Sequence, residues 1–258
     1  MLKQITNALK DTGTIARRNL IRNVKSPQLI VFSTVQPVMI LLLFNFVFGG
    51  AIRLTPGLNK YIDYLLPGLI VQAILFTSTQ AVIAMNADMM SGLIDRFKTL
   101  PISRIAVVFG RVLADTVRTT FILTIMMLLG LLLGFHPTQG VLNGILAIIM
   151  VIGFGFVFSW VSVTIGLLAK DAESAQAAGF IWVFPLAFAS SIFVPVSSMP
   201  GWLQGFAANQ PISLVANSVR GLTITGDTSD VIPALIWLVS LFVAFFIICN
   251  RLYNRKVS

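Results

Sequence analysis

Charge is scarce in this sequence. Of its 258 residues, 18 are Lys or Arg and 9 are Asp or Glu, so charged residues make up 10%. An ordinary soluble domain carries about 25%, because its solvated surface requires it. A soluble globule of this size is therefore excluded. Cysteine occurs once, at Cys249, and histidine once, at His136. That leaves no intrachain disulfide, no multi-cysteine cluster and no multi-histidine metal site. His136, beside Pro137, reads as a loop residue and Cys249 as a small buried hydrophobe. Several motifs are also missing: the G-x-x-x-x-G-K-[ST] phosphate loop, the G-x-S-x-G elbow, H-E-x-x-H, and a glycine-rich dinucleotide turn. No acid lies in the middle of an apolar run, which weakens a proton- or sodium-driven carrier.

Apolar residues are abundant instead, at 57% with a mean hydropathy of +0.91. They fall in blocks near 29–52, 61–85, 119–135, 141–169, 175–196 and 231–250. A helix rises about 1.5 Å per residue and hydrocarbon is about 30 Å thick, so about 20 residues suffice to cross. The chain reads as an all-α integral membrane protein with six transmembrane helices. Its divisions are an interfacial amphipathic segment over 1–28, a six-span domain over 29–250 and a basic tail over 251–258. The net charge of +9 sits at the ends of the runs rather than in a patch with interleaved aromatics, which argues against nucleic acid. With the N-terminus inside, only Arg53, Lys60 and Arg220 fall outside, and the other 15 of the 18 basic residues lie on the cytoplasmic side. Both termini are thus expected to be cytoplasmic.

Three segments do not span. Residues 1–25 mix apolar and basic positions and suggest an interfacial helix interrupted near Gly13, lying on the anionic leaflet; a disordered basic tail is the alternative. Between spans two and three, Met90, Leu93, Ile94, Phe97 and Pro101 repeat at helical spacing, with Asp88, Asp95, Arg96 and Lys98 off the stripe. This predicts an amphipathic helix over 87–99, or more simply a solvated surface helix. Ser103 then caps a helix running into span three, on which Arg111, Asp115 and Arg118 form one face suited to intrahelical ion pairs. The third segment, 197–229, predicts two short helices dipping into the outer leaflet, the second opened by Pro211 and carrying Ile212, Val215, Val219 and Leu222.

Polar neutral residues interrupt the spans: Gln72, Thr79 and Asn86 every seventh position on span two with Gln80 beside them, Gln36 and Asn45 on span one, and Ser159, Ser162 and Thr164 on span four. Either they bond helix to helix or they line a path. Tyr61, Tyr64, Trp202 and Tyr253 fit interfacial belts. A few phenylalanines can meet an apolar substrate, and the sequence does not single them out.

Three stretches go beyond periodicity. One runs Met89-Met90-Ser91-Gly92-Leu93-Ile94-Asp95-Arg96-Phe97-Lys98-Thr99-Leu100-Pro101-Ile102-Ser103-Arg104. The others are Asn209-Gln210-Pro211-Ile212-Ser213-Leu214-Val215 followed by Arg220-Gly221, and Tyr64-Leu65-Leu66-Pro67-Gly68-Leu69. On these the chain resembles the permease subunit of a type-two ATP-binding-cassette exporter, close to the daunorubicin- and doxorubicin-resistance membrane proteins. The resemblance implies an N-terminal elbow helix and a cytoplasmic coupling helix set in a cleft of a separate ATPase, carried by Met90, Leu93, Ile94, Asp95, Arg96, Phe97, Lys98, Pro101 and Arg104. It also implies re-entrant helices between spans five and six, with Trp202, Phe206, Asn209, Pro211 and Arg220 closing the outer end. Gln210 separates Asn209 from Pro211, where the family often joins Asn to Pro, so which residue fills the asparagine's role stays open. The implied partners are an ABC-type ATPase, a second copy or a homologous permease, and membrane lipid. The chain itself is expected to bind no cofactor and catalyse nothing, with ATP and Mg2+ on the ATPase. The stalk Arg111–Asp115–Arg118 would carry motion, and Gln36, Asn45, Gln72, Thr79 and Gln80 would line the route for an amphiphilic drug. The other readings are export of a lipid or lipid-linked glycan, a carrier or channel that needs no ATPase, and a membrane anchor.

Overall fold

Where nearly every residue of a long segment is apolar, the backbone polar groups must be satisfied within the segment itself. The computed structural model describes residues 2–24, 27–48, 60–92 and 104–257, and shows helices and turns with no strand among the described residues. In chain order the helices are α1 (Leu2–Val24), α2 (Pro27–Leu43, continued by a π-helical turn, Phe44–Phe48), α3 (Tyr61–Met90) and α4 (Arg104–Leu132). They continue with α5 (Gly140–Leu168), α6 (Ala172–Phe188), α7 (Gly201–Asn209), α8 (Pro211–Arg220) and α9 (Val231–Val257). Among the described residues, four segments are long and apolar enough to cross a membrane: α3, Ala106–Leu132 of α4, α5, and Val231–Lys256 of α9. α2 adds a shorter apolar stretch, Thr34–Val47, and α6 has 17 residues.

α3 is the axis of the molecule. It is buried along most of its length and touches α2, α4, α5, α6 and α8. Its two ends define the ends of the bundle. At the Tyr61 end lie the C-terminus of α6, the helices α7 and α8, and the start of α5, where Thr138 donates to the carbonyl of Ile224 (3.0 Å). At the Met90 end lie α1, the start of α4, the α5–α6 turn and the C-terminus of α9, where Lys256 donates to the carbonyl of Leu167. One large apolar core fills most of the bundle, and a smaller one around Ile15, Met85, Val112, Trp160 and Tyr253 fills the Met90 end.

Several boundaries differ from expectation. α1 runs unbroken through Gly13, because its buried face, Thr12, Ile15, Ala16 and Asn19, docks on α4 rather than only on a leaflet. Gly110 of α4 makes this seat: a Cβ there would stand 2.8 Å from the Ile15 Cβ and 2.9 Å from the Thr12 carbonyl oxygen. Of the amphipathic helix expected over 87–99, only residues 87–92 are described. Residues 87–90 are the last turn of α3, and the chain leaves it through Ser91 and Gly92, the latter at φ +65°, a left-handed conformation that glycine adopts without penalty. Leu93, Ile94, Asp95, Arg96, Phe97, Lys98, Pro101 and Ser103 lie outside the described residues, and Arg104 opens α4. The run expected over 175–196 is helical only to Phe188, and the carbonyls beyond it accept from side chains: Ala189 from Gln210, Ser191 from Tyr64 and Arg220, Ile192 from Arg220 and Phe193 from Tyr61. The basic tail 251–258 continues α9 as helix to Val257. Of the four residues assigned to interfacial belts, Tyr61, Tyr64 and Tyr253 are buried against protein and Trp202 is exposed, at 82%.

Two alanine substitutions separate these packing roles. Gly110→Ala forces α1 off its seat and lowers stability by about 1–3 kcal/mol. Gly144→Ala, inside α5 where a Cβ meets nothing within 4 Å, raises it by about 0.5–1 kcal/mol. Thermal unfolding in detergent checks both, and limited proteolysis should cut the N-terminal helix faster in the first variant.

Candidate functional site

A buried carboxylate requires compensating charge or hydrogen bonds. Asp88 lies one turn before the Gly92 break and is buried. It accepts from Arg22 of α1 at 2.7 Å through Oδ1, and from Arg111 of α4 through Oδ2. Arg18 of α1 stands 4.0 Å from the same Oδ2. Burial lowers the Arg18 guanidinium from its ordinary value, with Asp88 opposing the shift and Arg111 and Arg22 reinforcing it. Three cations thus share one anion, and α1, α3 and α4 are tied where the chain enters the segment after Gly92.

The expected stalk face divides. Asp115 and Arg118 pair along α4 at 3.2 Å, and Arg118 also donates to the Thr77 carbonyl of α3 (3.0 Å). Arg111 turns away to Asp88. Asp88, placed off the amphipathic stripe in the sequence reading, is the residue that reading missed. Its signal was an acid in the last apolar turn of a span.

The polar stripe converges in part. Gln36 of α2 and Gln72, Thr79 and Gln80 of α3 line one cleft of about 100 Å³, with Phe76 and Phe180 on its apolar wall. Thr79 donates to the Phe76 carbonyl, whereas among the described residues no hydrogen bond within the chain engages the amides of Gln36, Gln72 or Gln80. Asn45 sits in the π-helical turn and is not part of this cleft. Asn86 donates to the Ala169 carbonyl at 2.9 Å, so it ties α3 to the α5–α6 turn. Ser159 and Thr164 bond to carbonyls of their own helix.

At the other end, Arg220 is buried and clamps the unwound stretch after α6. It donates to the carbonyls of Tyr64 (2.8 Å), Ser191 (2.8 Å) and Ile192 (3.0 Å), and to Asn217 Oδ1 (2.8 Å). Its guanidinium lies 3.8 Å from the centre of the Tyr64 ring, a cation–π contact. Gly68 supplies the room, because a Cβ there would come 2.6 Å from the Ile192 carbonyl oxygen. Gln210, the residue that meets Pro211, is buried and donates to the Ala189 carbonyl, while Asn209 donates to the Gly205 carbonyl within α7. Of the two residues before Pro211, Gln210 is the one whose side chain reaches another segment. The expected outer-gate group does not gather in one place: Phe206, Asn209 and Pro211 border an apolar wedge of about 820 Å³ between α5, α6 and α9, away from the clamp of Arg220.

Asp88→Asn leaves Arg111 buried without its counter-ion and should cost about 3–5 kcal/mol. Arg22→Ala, at a side chain 58% exposed, should cost less than about 1 kcal/mol. Chemical or thermal unfolding of the two variants side by side reads the difference.

Residues 10–224 match the family described as ABC-2 type transporter. The chain is 34% identical over 231 residues to the daunorubicin resistance ABC transporter permease protein DrrB1 of Streptomyces coeruleorubidus, covering 89% of this chain and 81% of the relative. It is 26% identical over 210 residues to a Mycobacterium tuberculosis protein named "Probable doxorubicin resistance ABC transporter permease protein DrrC", covering 81% and 75%.

Proposed function

The chain belongs to the ABC-2 type transporter family as a membrane permease subunit, and from that premise we propose that it exports an amphiphilic drug-like molecule using work done by a separate ATPase. ATP and Mg2+ sit on that partner and none on this chain. The observation that carries the route is the cleft of Gln36, Gln72, Thr79 and Gln80. Amides from two helices line it beside phenylalanine rings, and at about 100 Å³ it suits one polar edge of such a ligand with the adjoining apolar part outside it. The relatives named for daunorubicin and doxorubicin resistance support the same class.

Six crossings are proposed, α2 to α6 and α9. α6 rises about 26 Å over its length, and its unwound continuation reaches the Tyr61 end. The Met90 end is proposed to face the cytoplasm, and the basic residues support this: Lys10, Arg17, Arg18, Arg22, Lys170, Arg251, Arg255 and Lys256 belong to the segments at that end, against Lys60 and Arg220 at the other. α1 then serves as the elbow helix, the residues after Gly92 as the coupling segment, and α7 and α8 as the external re-entrant pair. A second permease copy or a homologue completes the assembly in the plasma or inner membrane.

The coupling segment is entered from α3 at Gly92 and left into α4 at Arg104. A push on it therefore reaches both helices, and the Asp88 node makes α1, α3 and α4 respond together. Nucleotide state then shifts which arrangement is favoured by its differential affinity for the two. A lipid substrate is the second reading, favoured by the wedge of about 820 Å³, which Asn209, Gln210 and two tryptophans border among the apolar side chains of α5, α6, α7 and α9.

Reconstitution with and without the ATPase, assayed with daunorubicin and with labelled lipid, tests the reading: ATP-dependent drug movement supports it, and full-rate movement by the permease alone refutes it. Phe97→Ala and Leu93→Ala should each weaken co-purification with the ATPase about tenfold, equivalent to 1.4 kcal/mol. Gln72→Ala with Thr79→Ala should weaken daunorubicin affinity, and normal affinity and export would assign the stripe to packing.

A further inference from the structure

The cleft is the lower end of a continuous row of phenylalanine rings. Phe76 and Phe180 form part of its wall. From them, Phe184 stands 5.3 Å from Phe76 and 5.7 Å from Phe180, and Phe188 stacks on Phe184 at 5.8 Å with the rings 4° from parallel. Phe193 follows at 5.7 Å and Phe44 of α2 at 4.8 Å. Phe180, Phe184 and Phe188 recur every fourth residue, so they lie along one face of α6. The two ends of the row are partly buried, whereas Phe184 is 46% and Phe188 58% exposed. The far end is held in place: the Phe193 carbonyl accepts from Tyr61 at 3.4 Å, and the neighbouring Ile192 carbonyl accepts from Arg220.

We propose that Phe76, Phe180, Phe184, Phe188, Phe193 and Phe44 form a ladder along which the apolar body of the exported amphiphile moves from the amide-lined cleft to the outer end. This rests on the function proposed above and extends it from a binding cleft to the path of exit. Three observations join the row to that ligand rather than to lipid alone. It starts at the cleft wall, its ring-to-ring steps are no larger than contacting aromatic pairs allow, and its exit is fixed by the same clamp that orders the outer end of α6. A flat apolar surface can pass from ring to ring without exposing itself to water at any step. Arg220 acts as a positioning residue, since it holds the segment carrying Phe193 and does not itself border the ladder.

The test uses the permease with its ATPase in liposomes and daunorubicin as the probe. The double variant Phe184→Ala/Phe188→Ala should lower export about tenfold, a barrier change of about 1.4 kcal/mol, while equilibrium affinity, read at the untouched cleft amides, stays within about twofold. Phe184→Leu/Phe188→Leu, which keeps apolar area, should recover most of the rate. A photoreactive benzoylphenylalanine replacing Phe188 should form a daunorubicin adduct. Wild-type export in the alanine variant overturns the ladder, as does cross-linking to lipid or a second copy with no drug adduct. If the wild-type assembly moves no daunorubicin, the substrate reading fails first and the ladder falls with it. Loss of ATPase co-purification in both double variants would mark them as structural damage and overturn the ladder's assignment to the path.

Discussion

A carboxylate taken out of water loses hydration worth several kcal/mol even after the protein relaxes, and only close cations and hydrogen bonds return it. Asp88 is held on those terms, with Arg22 at 2.7 Å, Arg111 on its second oxygen and Arg18 at 4.0 Å. No two of the three helices involved are joined by a short turn that would by itself set their relative position. The smaller apolar core around Ile15, Met85 and Val112 packs behind the charges, and Asp88 and Arg111 are the members of the node kept from water. Because Asp88 sits one turn before Gly92, the position of the next segment depends on this node.

The opposite end solves the inverse problem. Arg220 is a buried cation with no carboxylate beside it among the described residues, and it is satisfied by main-chain carbonyls. Those carbonyls are available because α6 stops at Phe188 and the chain runs on unwound to Pro195. Irregular backbone at membrane depth is tolerated only when protein takes its polar groups, and Arg220, Tyr64, Gln210 and Ser213 take them here. The proposed transporter therefore has one polar lock at each end of α3. The amide-lined cleft and its ring ladder lie on one side of that helix.

Much of this was legible from residue order. Helices α3 and α5, the α7–α8 pair and the apolar face of α8 follow from run lengths, Pro211 and helical spacing. The family was legible in the stretches around Gly92, Pro67–Gly68 and Pro211. What was not legible depends on distance in sequence. Asp88 reads as the polar side of an amphipathic stripe until α1 and α4 bring arginines from 66 and 23 positions away. Tyr64 reads as an interfacial anchor until Arg220, 156 positions on, covers its ring. Gln36 joins the span-two stripe while Asn45, equally polar and on the same run, does not, because nine residues of helix carry Asn45 about 13 Å further along and to the opposite face. The end of α6 was hidden for a related reason: its apolar composition continues past the point where side chains capture its carbonyls.

The central claim is that the Asp88 node makes α1, α3 and α4 move as one unit under the ATPase. The most direct measurement exchanges its charges, comparing ATP-coupled export in Asp88→Arg, in Arg111→Asp and in the two combined. The account predicts that each single change uncouples hydrolysis from export and that the combined exchange restores a large part of it. Coupled export at the normal rate in both single variants, or none in the combined exchange despite normal assembly with the ATPase, would contradict it.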